Sequence, residues 1–227
     1  MMAEPERRRA DPPGPQHLAA TAFIDAGHPR VRAFAERAVG AAPTDRERVA
    51  RLFEAVRDEV RYDPYRFSRA PRDYVASNVI SRGVAYCIPK AVVLTAGARA
   101  LAIPARLGFS DVKNHLQSPK LAERMGTDIF VFHGYSELYV NGAWRKATPA
   151  FNAELCERFG VAPLTFDGSA DALLHPSAGD GSAYMEYIRD RGVYADLPLE
   201  LILEVFAAAY PGFGMGEATE DDPAFSA

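Results

Sequence analysis

The sequence predicts an α+β fold in which helices come first and a mainly antiparallel sheet follows. Two patterns carry this prediction. Apolar residues recur at helical spacing between Pro29 and Leu101, whereas from Ile129 to Thr148 they partly alternate with polar residues around an Asn141-Gly142 turn. A run of helices followed by strands that a hairpin turn connects is typical of the α+β class.

Composition bounds the organisation of the chain. Its 227 residues are 48% hydrophobic and 25% charged, which suits one globular domain with its own core. We expect this domain to span residues 17–213. A charged, proline-rich tail, residues 1–16, precedes it, and an acidic tail, residues 214–227, follows it. The net charge of −4 gives no basic surface for nucleic acid.

The cysteine count and the hydropathy pattern set expectations for location. Two cysteines, Cys87 and Cys156, require no disulfide framework, and free thiols fit a reducing compartment. The first residues lack the apolar stretch of a signal peptide, and no run reaches the roughly 20 apolar residues of a membrane span. We therefore expect a cytoplasmic protein without a membrane partner; the sequence does not indicate an oligomeric state.

Four helices are predicted in the first half of the chain. One begins near Pro29, since proline is tolerated in a first turn. The segment Thr44-Asp45-Arg46-Glu47 has the spacing of a capping box and opens a helix that runs to Val60. A short helix is expected over 72–80, and a helix buried on most sides over 88–101.

Strands and further helices are predicted after these. We expect a strand over 103–109, a long connection over 111–127, and strands over 129–140 and 143–148 that the Asn141-Gly142 turn joins. Helices are then predicted over 153–159, 183–189 and 199–209. Cys156, on the amphipathic helix 153–159, is expected in the core.

Cys87 is the first candidate for chemistry. It follows a glycine-containing loop and precedes the apolar helix 88–101. A cysteine attacks as its thiolate, and the amides and dipole of a helix N-terminus favour that anion. A lone cysteine is more often a small buried hydrophobic residue, but the loop-to-helix setting favours a nucleophile here.

His133 is the matching candidate for a general base. It opens the alternating segment His133-Gly134-Tyr135-Ser136-Glu137, which places it on a strand. A histidine on a strand is more often structural, so its interest lies in pairing with the thiol of Cys87.

These segments resemble the transglutaminase-like superfamily, which belongs with the papain-like thiol enzymes. The stretch from Gly83 through Cys87 to Arg106 resembles the catalytic-cysteine helix and the strand after it. His133 with Glu137, Tyr139 and Trp144 resembles the histidine hairpin, and the helix before Arg61-Tyr62-Asp63 resembles the family's lead-in segment. The resemblance covers roughly residues 40–150. It implies a papain-like α+β core, a thiolate that attacks an amide or ester carbonyl, and neither a metal nor a cofactor.

The third catalytic position departs from the family pattern. Bacterial members usually place an aspartate a few residues after the hairpin tryptophan, but this chain has Thr148 there. Asn152 is the alternative, since an asparagine amide orients the imidazole in papain-like enzymes. It is equally well placed to cap the helix 153–159. Thr148 and Asn152 stay open as orienting residues.

An acyl-transfer site also needs donors for the oxyanion. The backbone amide of Cys87 at the helix start is the natural first donor, and the side chain of Asn78 is a candidate second. Asn78 can also be read as an ordinary polar residue of a helix or loop.

The segment Asp111-Val112-Lys113-Asn114-His115 invites a metal interpretation, because Asp111 and His115 would share a face in a helix. A zinc site needs three or four ligands at consistent spacing, and no HExxH or paired-cysteine motif is present. A long connection beside the site is the better interpretation.

The sequence thus favours a cysteine peptidase or amidase that acts on a peptide or protein through an acyl-enzyme. Two alternatives remain. An amine in place of water as acceptor would make the chain an acyltransferase, and the missing aspartate leaves room for a non-catalytic module that binds peptide or protein in the same cleft.

Overall fold

The computed structural model describes residues 11–114, 118–173 and 185–211. The helical half begins with α1 (Pro29–Val39) and α2 (Asp45–Glu59). The hydroxyl of Thr44 accepts a hydrogen bond of 3.3 Å from the Glu47 amide. The predicted starts of both helices are confirmed.

The predicted short helix over 72–80 is interrupted. A 3-10 helix, Pro71–Tyr74, is followed by α3 (Ala76–Arg82). Val75 between them has extended backbone angles, φ −68° and ψ 127°, which break the helical hydrogen-bond ladder. Two short strands, β1 (Arg61–Tyr62) and β2 (Val84–Ala85), pair in parallel and lead the chain into the helix that carries the cysteine.

That helix, α4, runs over Cys87–Ala100, and every residue from Cys87 to Arg99 is buried. It lies between α1, α2 and α3 on one side and the main sheet on the other. The Thr95 hydroxyl bonds that of Ser136 in the sheet at 3.0 Å, and Ser136 donates to the Ala91 carbonyl at 2.9 Å. The core is therefore built around α4, as the apolar run predicts.

The main sheet is antiparallel, with four strands in the order β5-β4-β3-β6. Its strands are β3 (Ala105–Asn114), β4 (Ile129–Val140), β5 (Ala143–Ala147) and β6 (Met185–Tyr194). Asn141 and Gly142 between β4 and β5 both have positive φ, 51° and 81°, as a two-residue hairpin turn demands. The predicted hairpin is confirmed.

Two predictions in this region are wrong. The expected long connection over 111–127 is partly regular structure, because β3 extends to Asn114 and α5 occupies Pro119–Met125. The expected helix over 183–189 is a strand from Met185 onward, paired with β3 along its length. Only Met185 of β6 is buried. The sequence of this strand therefore has no apolar periodicity that would distinguish a strand from a helix.

The remaining helices agree with the sequence. Helix α6 occupies Ala153–Arg158 and α7 occupies Leu199–Ala209, and Cys156 is fully buried. In the portion of the chain described, no helix combines the length and the hydropathy that crossing a bilayer requires.

The N-terminal segment contacts the hairpin. Trp144 of β5 donates from its indole nitrogen to the Asp11 carbonyl at 2.8 Å, and His17 meets the indole edge-on at 4.9 Å between ring centroids. The boundary of a tail at residue 16 stays a prediction. Asp11, which lies within the expected tail, is in contact with β5.

Candidate active site

Cys87 is the first residue of α4. Tyr86 before it has extended backbone angles, so the chain enters the helix directly at the cysteine. Pro89 occupies the first turn, where its missing amide hydrogen costs no helical bond. The thiol therefore lies at the positive end of the helix dipole, as predicted.

Backbone amides near the sulfur favour its anion. Those of Gly134 in β4, of Ile88 and of Cys87 itself act to lower the pKa of the thiol. Burial outweighs their effect and raises the pKa of Cys87 to about 11. The sequence argument leads to a lowered pKa, whereas in this buried arrangement the thiol keeps its proton at pH 7.

Gly134 owes its place to a close approach of two chains. A Cβ built on it would come within 2.9 Å of the Ile88 Cα, and backbone there cannot move aside cheaply. The absence of a side chain lets β4 reach the start of α4, so the peptide that follows His133 lies beside the thiol.

His133 is 4% exposed. Burial lowers its pKa to about 4, so the imidazole is neutral at pH 7. Among the described residues, its Nε2 has no hydrogen-bond partner. A neutral, unpaired nitrogen in a buried site is available to accept a proton.

Cys87 and His133 line one cavity of about 60 Å³. Its walls come from the loop after β1, from α5, from β4 and from α7 with the residue after it. They are Tyr62, Pro64, Phe67, Tyr86, Leu121, Met125, Phe130, Val131, Phe206 and Tyr210. The sulfur and the imidazole thus face an apolar, largely aromatic chamber.

None of the other predicted site residues lines this cavity. Asn78 is exposed on α3, and its amide donates to the Arg72 carbonyl at 2.9 Å. It is not among the residues that line the cavity. The structure therefore offers no support for Asn78 as an oxyanion donor.

Asn152 has a hydrogen-bond partner away from His133, whereas the Thr148 hydroxyl has no hydrogen-bond partner among the described residues. The Asn152 amide oxygen accepts from the backbone of Tyr62 at 3.1 Å, which ties the cap of α6 to β1. Thr148 is 2% exposed. Burial raises the pKa of the Tyr187 phenol, and a side-chain contact from Thr148 partly offsets that effect. Within the described ranges the structure gives neither residue a contact with His133.

Lys90, which sequence reasoning passed over, is fully buried one turn after Cys87. Its ammonium donates to the Arg57 carbonyl at 2.8 Å and to the Val60 carbonyl, at the end of α2. Burial lowers its pKa to about 7, against the attraction of Asp58. Its charge acts to lower the pKa of Cys87. The available signal was a cation in the first turn of a 14-residue helix whose other residues, apart from Thr95 and Arg99, are small or apolar.

The metal interpretation finds no support among the described residues, where no three histidine, cysteine or acidic side chains cluster as a metal would require. Asp111, which is buried, instead forms an ion pair with the half-buried Arg191. His115 lies outside the described residues.

The structure thus brings a cysteine at a helix start and a histidine on the adjoining strand to one cavity. The sequence profile of the transglutaminase-like superfamily matches residues 32–149, just over half of the chain, and includes both residues. The protein belongs to the transglutaminase-like superfamily. Its fold is the α+β fold that the resemblance implies.

Two solved structures are similar to the chain. One is a candidate cysteine protease from Cytophaga hutchinsonii, with 14% identity and a TM-score of 0.47 over 76% of this chain and 62% of that one. The other is a candidate protease from Parabacteroides distasonis, with 17% identity and a TM-score of 0.39 over 60% of this chain and 27% of that one. This chain thus spans under two thirds of either protein. No curated protein matches it.

Proposed function

We propose that the protein is a thiol hydrolase that cleaves an amide or ester bond of a peptide or protein through an acyl-enzyme. The observation that carries the proposal is the convergence of Cys87 and His133 on one cavity, where the backbone amide of Gly134 acts to lower the pKa of the thiol. Family membership supports it independently.

The proposed first half-reaction forms a thioester. His133 takes the thiol proton, and the sulfur attacks the carbonyl carbon of the substrate. The Cys87 backbone amide at the helix start stabilises the resulting oxyanion. The bond to the leaving group then breaks, and the protonated His133 gives its proton to that group.

The proposed second half-reaction restores the enzyme. A water molecule gives a proton to His133 as its oxygen attacks the thioester carbonyl. The carbon–sulfur bond breaks, the carboxylic acid product leaves, and the proton on His133 returns to the sulfur. No metal or cofactor enters either half.

Proton transfer is unfavourable while the cavity is closed. With the pKa of Cys87 at about 11 and that of His133 at about 4, burial disfavours the thiolate–imidazolium pair. Opening of the chamber would hydrate the pair and bring the two pKa values towards each other. We therefore propose that opening precedes chemistry.

The test combines thiol labelling with turnover. In a Cys156→Ser background, the rate of Cys87 alkylation by iodoacetamide is measured against pH for the chain with His133 and for His133→Ala. Hydrolysis of nitrophenyl esters of apolar acids is measured alongside. We expect His133→Ala to slow both reactions by about tenfold or more, and Cys87→Ser to abolish ester turnover. Equal alkylation profiles with and without His133 would sink the proposal.

A binding module without catalysis is the second candidate. The burial that keeps both Cys87 and His133 neutral favours it, as does the threonine at position 148. Stoichiometric binding of peptides with no turnover of any ester would select this candidate. Adding a primary alkylamine to an active preparation distinguishes water from an amine as acceptor, since a hydrolase releases mainly the carboxylic acid and an acyltransferase mainly the amide.

A further inference from the structure

A β-bulge lies in β4 directly before His133. Ser110 of β3 pairs with His133 and Val112 pairs with Phe130, so two residues of β4, Val131 and Phe132, stand opposite one residue of β3, Asp111. Bulges bend a strand and redirect the side chains beside them, and they are common next to active sites.

Phe132 has the backbone conformation that makes the bulge. Its φ is +53°, in the left-handed region that bulky residues rarely adopt. Such a conformation is strained and persists only where the surroundings hold it. Side chains that stabilise this conformation should therefore contact Phe132.

Asp111 and Arg191 are those groups. The Asp111 carboxylate accepts from the Phe132 amide at 3.0 Å. Arg191 of β6 donates to the same carboxylate. Its Nε lies 2.9 Å from Oδ1 and 3.0 Å from Oδ2, and its Nη2 lies 2.8 Å from Oδ2. The Arg191 guanidinium also lies over the Phe132 ring, 4.9 Å from its centroid. The backbone and the ring of Phe132 are thus held by one ion pair between the buried Asp111 and the half-buried Arg191.

We propose that Asp111 and Arg191 are positioning residues for His133, acting through the bulge. Relaxation of Phe132 to an ordinary strand conformation would shift the register by one residue, and such a shift moves side chains to the opposite face of a sheet. The imidazole would leave the cavity, or the Gly134 amide would leave the sulfur. The inference rests on the proposed function of His133 as base.

Two variants separate the two contacts of Asp111. Asp111→Asn keeps an oxygen to accept from the Phe132 amide but loses the charge that Arg191 grips. Asp111→Leu loses both. The matched control is Asp128→Asn. The Asp128 carboxylate is exposed and pairs at 3.2 Å with Lys113, which lies on β3 as Asp111 does but outside the bulge.

The readout is the effect of His133→Ala on Cys87 alkylation, measured in each background with Cys156→Ser. We expect His133→Ala to slow alkylation about tenfold or more when Asp111 is intact and in the Asp128→Asn control. It should slow alkylation by a smaller factor in Asp111→Asn and not at all in Asp111→Leu. A merely structural role would lower the melting temperature and leave this factor unchanged.

The outcomes distinguish the two hypotheses. If His133→Ala has no effect even with Asp111 intact, the proposed function fails. If it has its full effect in a folded Asp111→Leu, the positioning inference fails and the proposed function stands. Should Asp111→Leu not fold, Asp111→Asn and Arg191→Met decide, and a full His133 effect in both overturns the inference.

Discussion

His133 combines burial with a titratable ring. Its pKa is lowered to about 4 from 6.5 in the folded protein, so the unfolded chain binds a proton between pH 6.5 and 4 that the folded chain rejects. Stability is therefore full above pH 6.5 and is lost as the pH falls towards 4. The slope approaches about 1.4 kcal/mol per pH unit.

The residue-scale prediction concerns His133→Gln, which has no titrating ring. Between pH 7 and pH 4.5, the intact chain should lose roughly 2–3 kcal/mol more unfolding free energy than the variant. Urea unfolding at both pH values measures this difference. Carboxylates titrate in both proteins and cancel, so parallel losses would show that the ring is not buried as the structure has it.

Sequence reasoning located Cys87 and His133 because each lies in a local pattern, a helix start and a hairpin. It did not find Lys90 or the role of Asp111, whose importance depends on contacts between segments distant in the chain. The third catalytic position could not be predicted for the same reason. The amide of Asn152 is engaged by the backbone of Tyr62, ninety residues away, and nothing in the local sequence reports that contact.

At the scale of elements, strongly periodic segments were predicted well and β6 was not. The stripes of α1 and α2 and the alternation around Asn141-Gly142 specify local structure by themselves. Residues 185–194 lie at a sheet edge, and all of them except Met185 are exposed or half-buried. Their conformation is therefore decided by pairing with β3 rather than by a periodic pattern of apolar residues. Propensity alone could not separate the two states there.

Helix α7 and the residue after it cover the cavity. Phe206 and Tyr210 line it, and the Tyr210 hydroxyl donates to the Ile129 carbonyl at 2.9 Å and accepts from the Val131 amide at 2.7 Å. This one hydroxyl fastens the end of α7 to the strand that leads into the bulge. Opening of the chamber therefore requires that two backbone groups lose their partner.

The element-scale prediction is that Tyr210→Phe loosens this cover. The variant should lose about 1–3 kcal/mol of stability, and Cys87 should be alkylated faster at fixed pH because the open state is more populated. Iodoacetamide labelling and urea unfolding measure the two effects. The control is Leu201→Ala on the outer face of the same helix, where the side chain is 41% exposed. Lower stability with unchanged labelling would show that α7 does not gate the cavity.

At the scale of the whole molecule, a buried ion pair joins the middle strands of the sheet. Arg106 of β3 and Glu137 of β4 meet at 2.7 Å, with both side chains under 10% exposed. The guanidinium also lies over the Trp144 ring, 4.1 Å from its centroid. Removal of one partner of such a pair leaves a buried charge uncompensated.

The prediction at this scale is a loss of about 3–5 kcal/mol in Arg106→Met. The double variant Arg106→Met/Glu137→Met should recover part of it, because no buried charge remains. Urea unfolding of the two variants measures the difference. A double variant no more stable than the single one would indicate that the arginine stabilises chiefly through its packing on Trp144.

Trp144 is the single tryptophan of the chain, and it is 1% exposed on the hairpin that carries His133. All indole emission of the protein therefore comes from one site beneath Arg106 and beside His17. Its wavelength should shift to the red whenever the hairpin becomes hydrated, without any added label. The molecule carries its own optical reporter for the state of the strand on which the imidazole sits.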